Sequence, residues 1–127
     1  ADFEMIGNMK LHIAMTSKKN GYVPTLQELD DCYHRMTKAG NRPKIFLLCQ
    51  PHNPTGIVYS YNDMKRMIEW ALSKGEDLHI VSDEIYALSV FPGTIMTSAA
   101  QIMKERCHHE TDDQENYLGN RVHIVYG

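Results

Sequence analysis

The sequence has little excess charge of either sign and no long hydrophobic run. Its 127 residues carry a net charge of −3 with histidine neutral, so there is no basic surface of the kind that binds nucleic acid or an anionic membrane. No apolar stretch approaches the roughly 18 residues of a membrane-spanning helix, and there is no signal-peptide pattern. These absences favour a cytoplasmic protein with no nucleic-acid or membrane partner. The length is sufficient for the core of one modest domain.

Cysteine is scarce, and its positions suggest no pairing. Cys32, Cys49 and Cys107 are odd in number and widely spaced, which argues against a disulfide framework and indicates reduced thiols in the cytoplasm. The sequence also begins at Ala1 without methionine and ends at Gly127 directly after an apolar run. We therefore expect residues 1–127 to be part of a domain that is incomplete at both ends.

Strands are predicted where short apolar runs stand between polar segments. These runs lie at Lys10–Ser17, Pro43–Gln50, Asp77–Asp83 and Arg121–Tyr126. The run at Pro43–Gln50 is continuous, which is typical of a strand buried on both faces.

Helices are predicted between these runs. Thr25 and Glu28 form a capping-box pattern before apolar residues at helical spacing, and Gly40 ends that helix. Two further helices are expected at about Ser60–Lys74 and Thr97–Cys107. Strands that alternate with helices of this length imply βαβ units with right-handed crossovers. The expected fold is α/β, a three-layer α/β/α architecture with a mainly parallel sheet.

Polar side chains follow two of the predicted strands. In "HIVSDEIYAL" the strand ends in Asp83 and Glu84, with Tyr86 just beyond, and Asn53 follows the preceding strand. Ligands of parallel sheets bind outside the carboxyl ends of the strands. One chemistry with such an acid is nucleotide hydrolysis, which needs a G-x-x-x-x-G-K-[ST] loop. None of the eight glycines supplies that loop, so this class stays open only if the loop lies upstream of Ala1.

The other chemistry is that of pyridoxal phosphate (PLP), which accepts electrons from a carbanion when its ring nitrogen is protonated. A carboxylate beside that nitrogen favours protonation. A tyrosine hydroxyl and an asparagine amide suit the negative phenolic oxygen as hydrogen-bond donors. Asp83, Tyr86 and Asn53 supply this set of side chains.

Two motifs carry a resemblance to a known family. "NPTG" at residues 53–56 and "SDEIYA" at residues 82–87 resemble the paired motifs of fold-type I PLP enzymes, the class I/II aminotransferase superfamily. "SDEIYALSVF" followed by "VHIVYG" is most similar to 1-aminocyclopropane-1-carboxylate (ACC) synthases, and the resemblance runs from near Leu11 to Gly127.

The resemblance implies a role for each matching residue. Asn53 and Tyr86 would bind the phenolic oxygen of PLP, Asp83 would pair with the pyridine nitrogen, and the Asn53–Pro54 bond would be cis. It also implies a homodimer that acts on an amino-acid substrate. The lysine that forms the Schiff base would follow Gly127, and none of the eight lysines present matches it. Residues 1–127 alone are therefore expected to be inactive.

The substrate stays open at this point. An ACC synthase converts S-adenosylmethionine to ACC and methylthioadenosine, whereas an aminotransferase uses a 2-oxo acid as acceptor. Thr55 favours the aminotransferase, because many ACC synthases carry leucine there. A third alternative is a non-catalytic binding module without the lysine.

Each residue taken singly also has a structural interpretation. Asn53 suits a turn, Asp83 a local cap, and Tyr86 simple packing. Glu84 is expected to make a salt bridge or to cap a helix. Cys107–Glu110 contains metal-binding residue types but lacks the second half of a zinc pattern, so no metal site is predicted.

Overall fold

The computed structural model describes residues 7, 9–110 and 119–126. It divides into two compact units, Ala1–Pro43 and Lys44–Gly127. No helix in the described ranges is long and apolar enough to cross a membrane. No disulfide joins Cys32, Cys49 or Cys107 in the part of the chain that the structure describes.

The first unit contains helix α1, Leu26–Lys38, after a short 3-10 helix at Lys18–Asn20. The predicted capping box is confirmed: the Glu28 backbone N–H donates to Thr25 Oγ1 (3.2 Å), and the Thr25 backbone N–H donates to Glu28 Oε2 (2.7 Å). These bonds satisfy donors that the first turn of a helix leaves without backbone partners.

The predicted strand at Lys10–Ser17 is wrong. The segment is irregular and contains no strand residue. Leu11, Ile13 and Met15 alternate as strand residues do, but their side chains are 50 to 72% exposed. An alternating pattern of apolar residues indicates that the side chains suit a strand. A strand also needs a neighbouring strand with which to exchange hydrogen bonds.

The second unit is a three-stranded parallel sheet with two crossover helices, which confirms the α/β class. Its elements in chain order are β1 (Ile45–Cys49), α2 (Tyr61–Leu72), β2 (His79–Asp83), a 3-10 helix (Ala87–Ser89), α3 (Ala99–Glu110) and β3 (Val122–Val125). The spatial order is β1-β2-β3. Consecutive strands are therefore neighbours, and each βαβ unit adds one strand to the same edge.

The core of this unit lies between the sheet and the two helices. Helix α2 packs against β2 and α3, and α3 packs against β3. Met64, Met67, Ile68 and Ala71 form the buried face of α2, and Ile80 in the central strand β2 has no exposed surface. The expectation that β1 is buried on both faces is wrong, because Ile45 and Leu47 expose 40% and 39% of their surface. The sequence of a strand does not show which other elements cover its two faces.

Arg121, directly before β3, caps the C-terminal end of α2. Its guanidinium donates to the Leu72 carbonyl (3.0 Å) and to the Gly75 carbonyl. The last carbonyls of a helix have no partners within it, and a positive charge is favourable there. The first βαβ unit is thus bonded to the third strand through one side chain.

Asp63 lies in the first turn of α2, where Ser60 is the N-cap. Ser60 Oγ donates to Asp63 Oδ2 (2.6 Å), and Arg66 forms an ion pair with Asp63 Oδ1 (2.9 Å). Burial raises the pKa of Asp63, but the hydrogen bonds from Ser60 and Arg66 and the charge of Arg66 outweigh it. The net result is a pKa below the ordinary 3.8.

We expect the stability contributed by Asp63 to depend on pH. Because its pKa is lower in the folded chain than in the unfolded chain, the contribution is present above the unfolded pKa and is lost as the pH falls through the folded value. Asp63→Asn should lower the free energy of unfolding at neutral pH by less than about 1 kcal/mol. Urea unfolding at several pH values, followed by Trp70 fluorescence, measures this. A wild-type-to-variant difference that persists unchanged in strong acid would contradict the prediction.

Candidate functional site

The carboxyl ends of the three strands meet at one edge of the sheet. Asp83 is the register partner of Cys49 on one side and of Val125 on the other. The Gln50 N–H donates to the Asp83 carbonyl (2.9 Å), which extends the ladder one residue past β1. The segments that leave β1 and β2 therefore start side by side, as the sequence predicted for Asn53, Asp83 and Tyr86.

The segment after β1 is a closed turn. The His52 N–H donates to the Ile57 carbonyl (2.8 Å), and the Gly56 N–H donates back to the His52 carbonyl (2.6 Å). Gly56 has φ = 70°, a conformation that other residues rarely adopt. The Asn53–Pro54 bond is cis, as expected, and the Gln50–Pro51 bond is also cis. This turn carries Asn53 at the edge of the sheet.

Asn53 and Tyr86 meet although 33 positions separate them in sequence. Asn53 Nδ2 donates to the Tyr86 hydroxyl at 3.5 Å, and both side chains are exposed. Tyr86 directly precedes the short 3-10 helix Ala87–Ser89, whose first N–H donates to the Glu84 carbonyl (2.9 Å). An amide and a phenol hydroxyl, both able to donate, are thus held together on an open surface.

Asp83 ends β2 with a half-buried side chain. Its Oδ1 accepts from the Ile85 N–H at 3.2 Å, so the local cap considered from the sequence is present. A carboxylate has two oxygens and about four acceptor sites, and this bond uses one of them. Asp83 therefore keeps acceptor capacity at the strand end from which the segment carrying Tyr86 leaves.

Glu84 has the structural role expected of it. Its side chain is 1% exposed, and Oε1 accepts from the Ala99 N–H at 2.9 Å, at the first residue of α3. Sequence reasoning missed Gln50, which is fully buried at the end of β1. The available signal was an amide side chain at the end of an otherwise apolar run.

A shallow hollow lies near Glu84. Its lining comprises Glu84, Ala87, Met96, Ser98, Ala100, Ile124 and Tyr126. None of the three predicted cofactor-binding residues is among them, so the hollow does not coincide with the candidate site. The site is identified by the converging polar groups at the sheet edge and not by the depth of a cavity.

Comparison with known proteins assigns a family to this arrangement. The family model for aminotransferase class I and II matches residues 3–127. A 1-aminocyclopropane-1-carboxylate synthase of Glycine max is 34% identical over 118 residues, which are 93% of this chain and 23% of the relative. One from Vigna radiata var. radiata is 31% identical over 118 residues, 93% of this chain and 30% of the relative. The chain thus spans between a fifth and a third of these relatives.

A solved structure shares the fold. It is that of a PLP-bound protein of Clostridium difficile 630 assigned as an aminotransferase, with a TM-score of 0.62 and 24% sequence identity. The match covers 80% of this chain and 24% of that one. At this identity the likeness establishes the fold of the matched region.

Proposed function

The chain belongs to the aminotransferase class I and II family, a family of PLP-dependent enzymes, and on that premise we propose that its sheet edge forms one wall of a PLP site. The observation that carries the proposal is the meeting of Asn53 and Tyr86 at the carboxyl ends of the neighbouring strands β1 and β2, the second of which ends in Asp83. When bound, PLP withdraws electrons from the α-carbon of an amino acid. The three side chains suit its ring.

Asp83 is the proposed partner of the pyridine nitrogen. Its remaining acceptor capacity would take the N–H of the ring, and a negative charge next to the ring nitrogen would favour the protonated form. The local bond from the Ile85 N–H orients the carboxylate without neutralising it. Asp83 thus both holds the ring and maintains its charge.

Asn53 and Tyr86 are the proposed partners of the phenolic oxygen. One Asn53 amide hydrogen is directed at the Tyr86 hydroxyl, which orients the phenol so that its own proton can be donated elsewhere. The second amide hydrogen of Asn53 is also available. Two donors toward one oxygen stabilise the negative charge on it.

The proposed context is a larger, cytoplasmic, homodimeric enzyme. Residues 1–127 would form part of its large domain. None of the eight lysines matches the lysine that attaches the cofactor in the family, so residues 1–127 alone would have no activity. The substrate is a small amino acid or an amino-acid derivative.

ACC synthesis is the reaction we favour. It is supported by relatives at 29 to 34% identity that carry this name. Thr55 favours amino transfer instead, because many ACC synthases carry leucine at this position. In either reaction Asn53, Asp83 and Tyr86 would bind the cofactor in the same way.

We expect the full-length protein to bind PLP and to release ACC from S-adenosylmethionine. The measurement is an absorbance titration with PLP, followed by parallel assays for ACC and for amino transfer to a 2-oxo acid. Amino transfer without ACC would identify an aminotransferase. PLP binding without either product would favour a non-catalytic module, and no PLP binding would overturn the proposed function.

A further inference from the structure

The buried polar side chains of the second unit are concentrated at one end of the sheet. Within the described residues, the side chains that are both polar and buried are Gln50, Ser82, Glu84 and Thr97. Gln50, Ser82 and Glu84 lie at or next to the carboxyl ends of β1 and β2, and the Thr97 carbonyl is bonded to Gln50. The other buried residues of the core are apolar. Burying polar groups has a desolvation cost that a well-packed apolar residue avoids, so this concentration calls for an explanation.

Glu84 ties the end of β2 to the start of α3. Oε1 accepts from Ser82 Oγ (2.8 Å) and from the Ala99 N–H (2.9 Å). The backbone N–H of Glu84 donates to the Val125 carbonyl (2.8 Å). Asp83 directly precedes this anchored residue, and Tyr86 follows it by two positions. Any movement of Glu84 would therefore displace both.

Gln50 links the end of β1 to the segment just before α3. Nε2 donates to the Thr97 carbonyl at 2.6 Å, and the buried Oε1 has no hydrogen-bond partner among the residues that the structure describes. The orientation of the amide is fixed, because a flipped amide would face the Thr97 carbonyl with another acceptor. Gln50 also begins the turn that carries Asn53. Its burial takes both polar atoms of the amide out of water, which has a desolvation cost that the hydrogen bond to the Thr97 carbonyl offsets in part.

We propose that Gln50 and Glu84 are positioning residues that set the spacing between Asn53 on one side and Asp83 and Tyr86 on the other. Both are anchored to the same three-residue segment, Thr97–Ala99. The identity of the ligand in this inference, PLP, rests on the proposed function. The claim that Gln50 and Glu84 fix the spacing of the two strand ends does not. Groups that bind a reactive ring must be held by packing and by hydrogen bonds from a surrounding layer. A common anchor provides this for two separate strand ends.

A purely structural role would make a different prediction. If the two side chains served only stability, replacing them would lower the stability and the cofactor affinity together. In Gln50→Met, the unpaired Oε1 disappears while the Thr97 carbonyl loses its donor, so these two effects on stability oppose each other. The Asn53 turn nevertheless loses its tie. Positioning therefore predicts weaker PLP binding with little change in unfolding temperature.

The test uses three variants of the full-length protein. Gln50→Met removes one tie, and Glu84→Gln keeps the acceptor oxygen but removes the charge that strengthens its bonds. Glu105→Gln is the matched control, because Glu105 accepts a hydrogen bond from Tyr61 between α2 and α3 and does not belong to the segment Thr97–Ala99. Hydrogen exchange and the unfolding temperature are measured on the cofactor-free proteins, and PLP affinity is measured by absorbance titration.

We expect amide exchange in residues 52–57 to accelerate roughly fivefold to tenfold in Gln50→Met, and exchange in residues 84–99 to accelerate similarly in Glu84→Gln. The dissociation constant for PLP should rise about tenfold in both variants. Glu105→Gln should change neither quantity.

Unchanged exchange at these segments, or an equal change in Glu105→Gln, would overturn the proposal whether or not PLP binds. Faster exchange together with wild-type PLP affinity in both variants would also overturn it. Failure of the wild-type protein to bind PLP would refute the proposed function alone, and the exchange data would still decide whether Gln50 and Glu84 hold the two strand ends.

Discussion

Asp83→Asn should remove most of the activity of the full-length protein, by roughly a hundredfold or more, while leaving the fold intact. An asparagine amide can still hydrogen-bond the pyridine nitrogen, but it carries no charge to keep that nitrogen protonated. The side chain is half-buried and contacts its own segment through the Ile85 N–H, so the substitution disturbs little packing. Steady-state turnover and thermal unfolding of the two proteins measure the two parts of this prediction.

Asp77→Asn is the matched control for that experiment. Asp77 lies two residues before the other end of the same strand, and its exposed carboxylate pairs with Lys44 at 2.9 Å. Exposed ion pairs contribute little to stability, and this one is remote from the strand tips, so its loss should leave turnover unchanged. Near-normal turnover in Asp83→Asn would remove Asp83 from its proposed role.

Ile80→Ala should lower the free energy of unfolding by about 2–5 kcal/mol. Ile80 has no exposed surface and lies at the centre of the sheet, with Phe46 and Val122 as its register partners. Removing three carbons there leaves a cavity that flanking strands cannot close without breaking their ladders. The ring of Phe46 contacts the single tryptophan, Trp70, at a centroid distance of 5.2 Å, so tryptophan fluorescence reports the transition in urea.

The companion variant Ile80→Val removes one methyl group and should cost only about 0.5–1.5 kcal/mol. The two losses should therefore differ clearly in one series of unfolding curves. Equal losses for both variants would show that the site collapses around the missing atoms, which would contradict the prediction that a cavity remains.

Local patterns predicted much of the second unit. The turn after β1 and the strand tips follow from short apolar runs that stop at polar residues, and parallel strands place those tips at one edge. That is why Asn53 and Tyr86 could be expected to lie close together from sequence. The capping box of α1 was predictable for a similar reason, because Thr25 and Glu28 are only three residues apart.

Features that depend on distant neighbours were not predictable in this way. Lys10–Ser17 has the side chains of a strand but no pairing partner in the sheet. Leu47 belongs to a continuous apolar run yet remains partly exposed. Gln50 is polar but buried, because its donor faces the Thr97 carbonyl 47 positions away. Each outcome was decided by a segment remote in sequence, and a window of ten residues contains no information about it.

The guanidinium of Arg121 couples the outer strand β3 to the end of α2, which the hydrogen bonds between the strands alone would not do. The outer strand of a small sheet ordinarily frays first, because it is bonded along one edge only. Here, separation of β3 would also withdraw the donors from the Leu72 and Gly75 carbonyls at the end of α2. Loss of the outer strand and fraying of the helix end are therefore a single event. This cooperativity protects the Val125 carbonyl, which receives the N–H of Glu84.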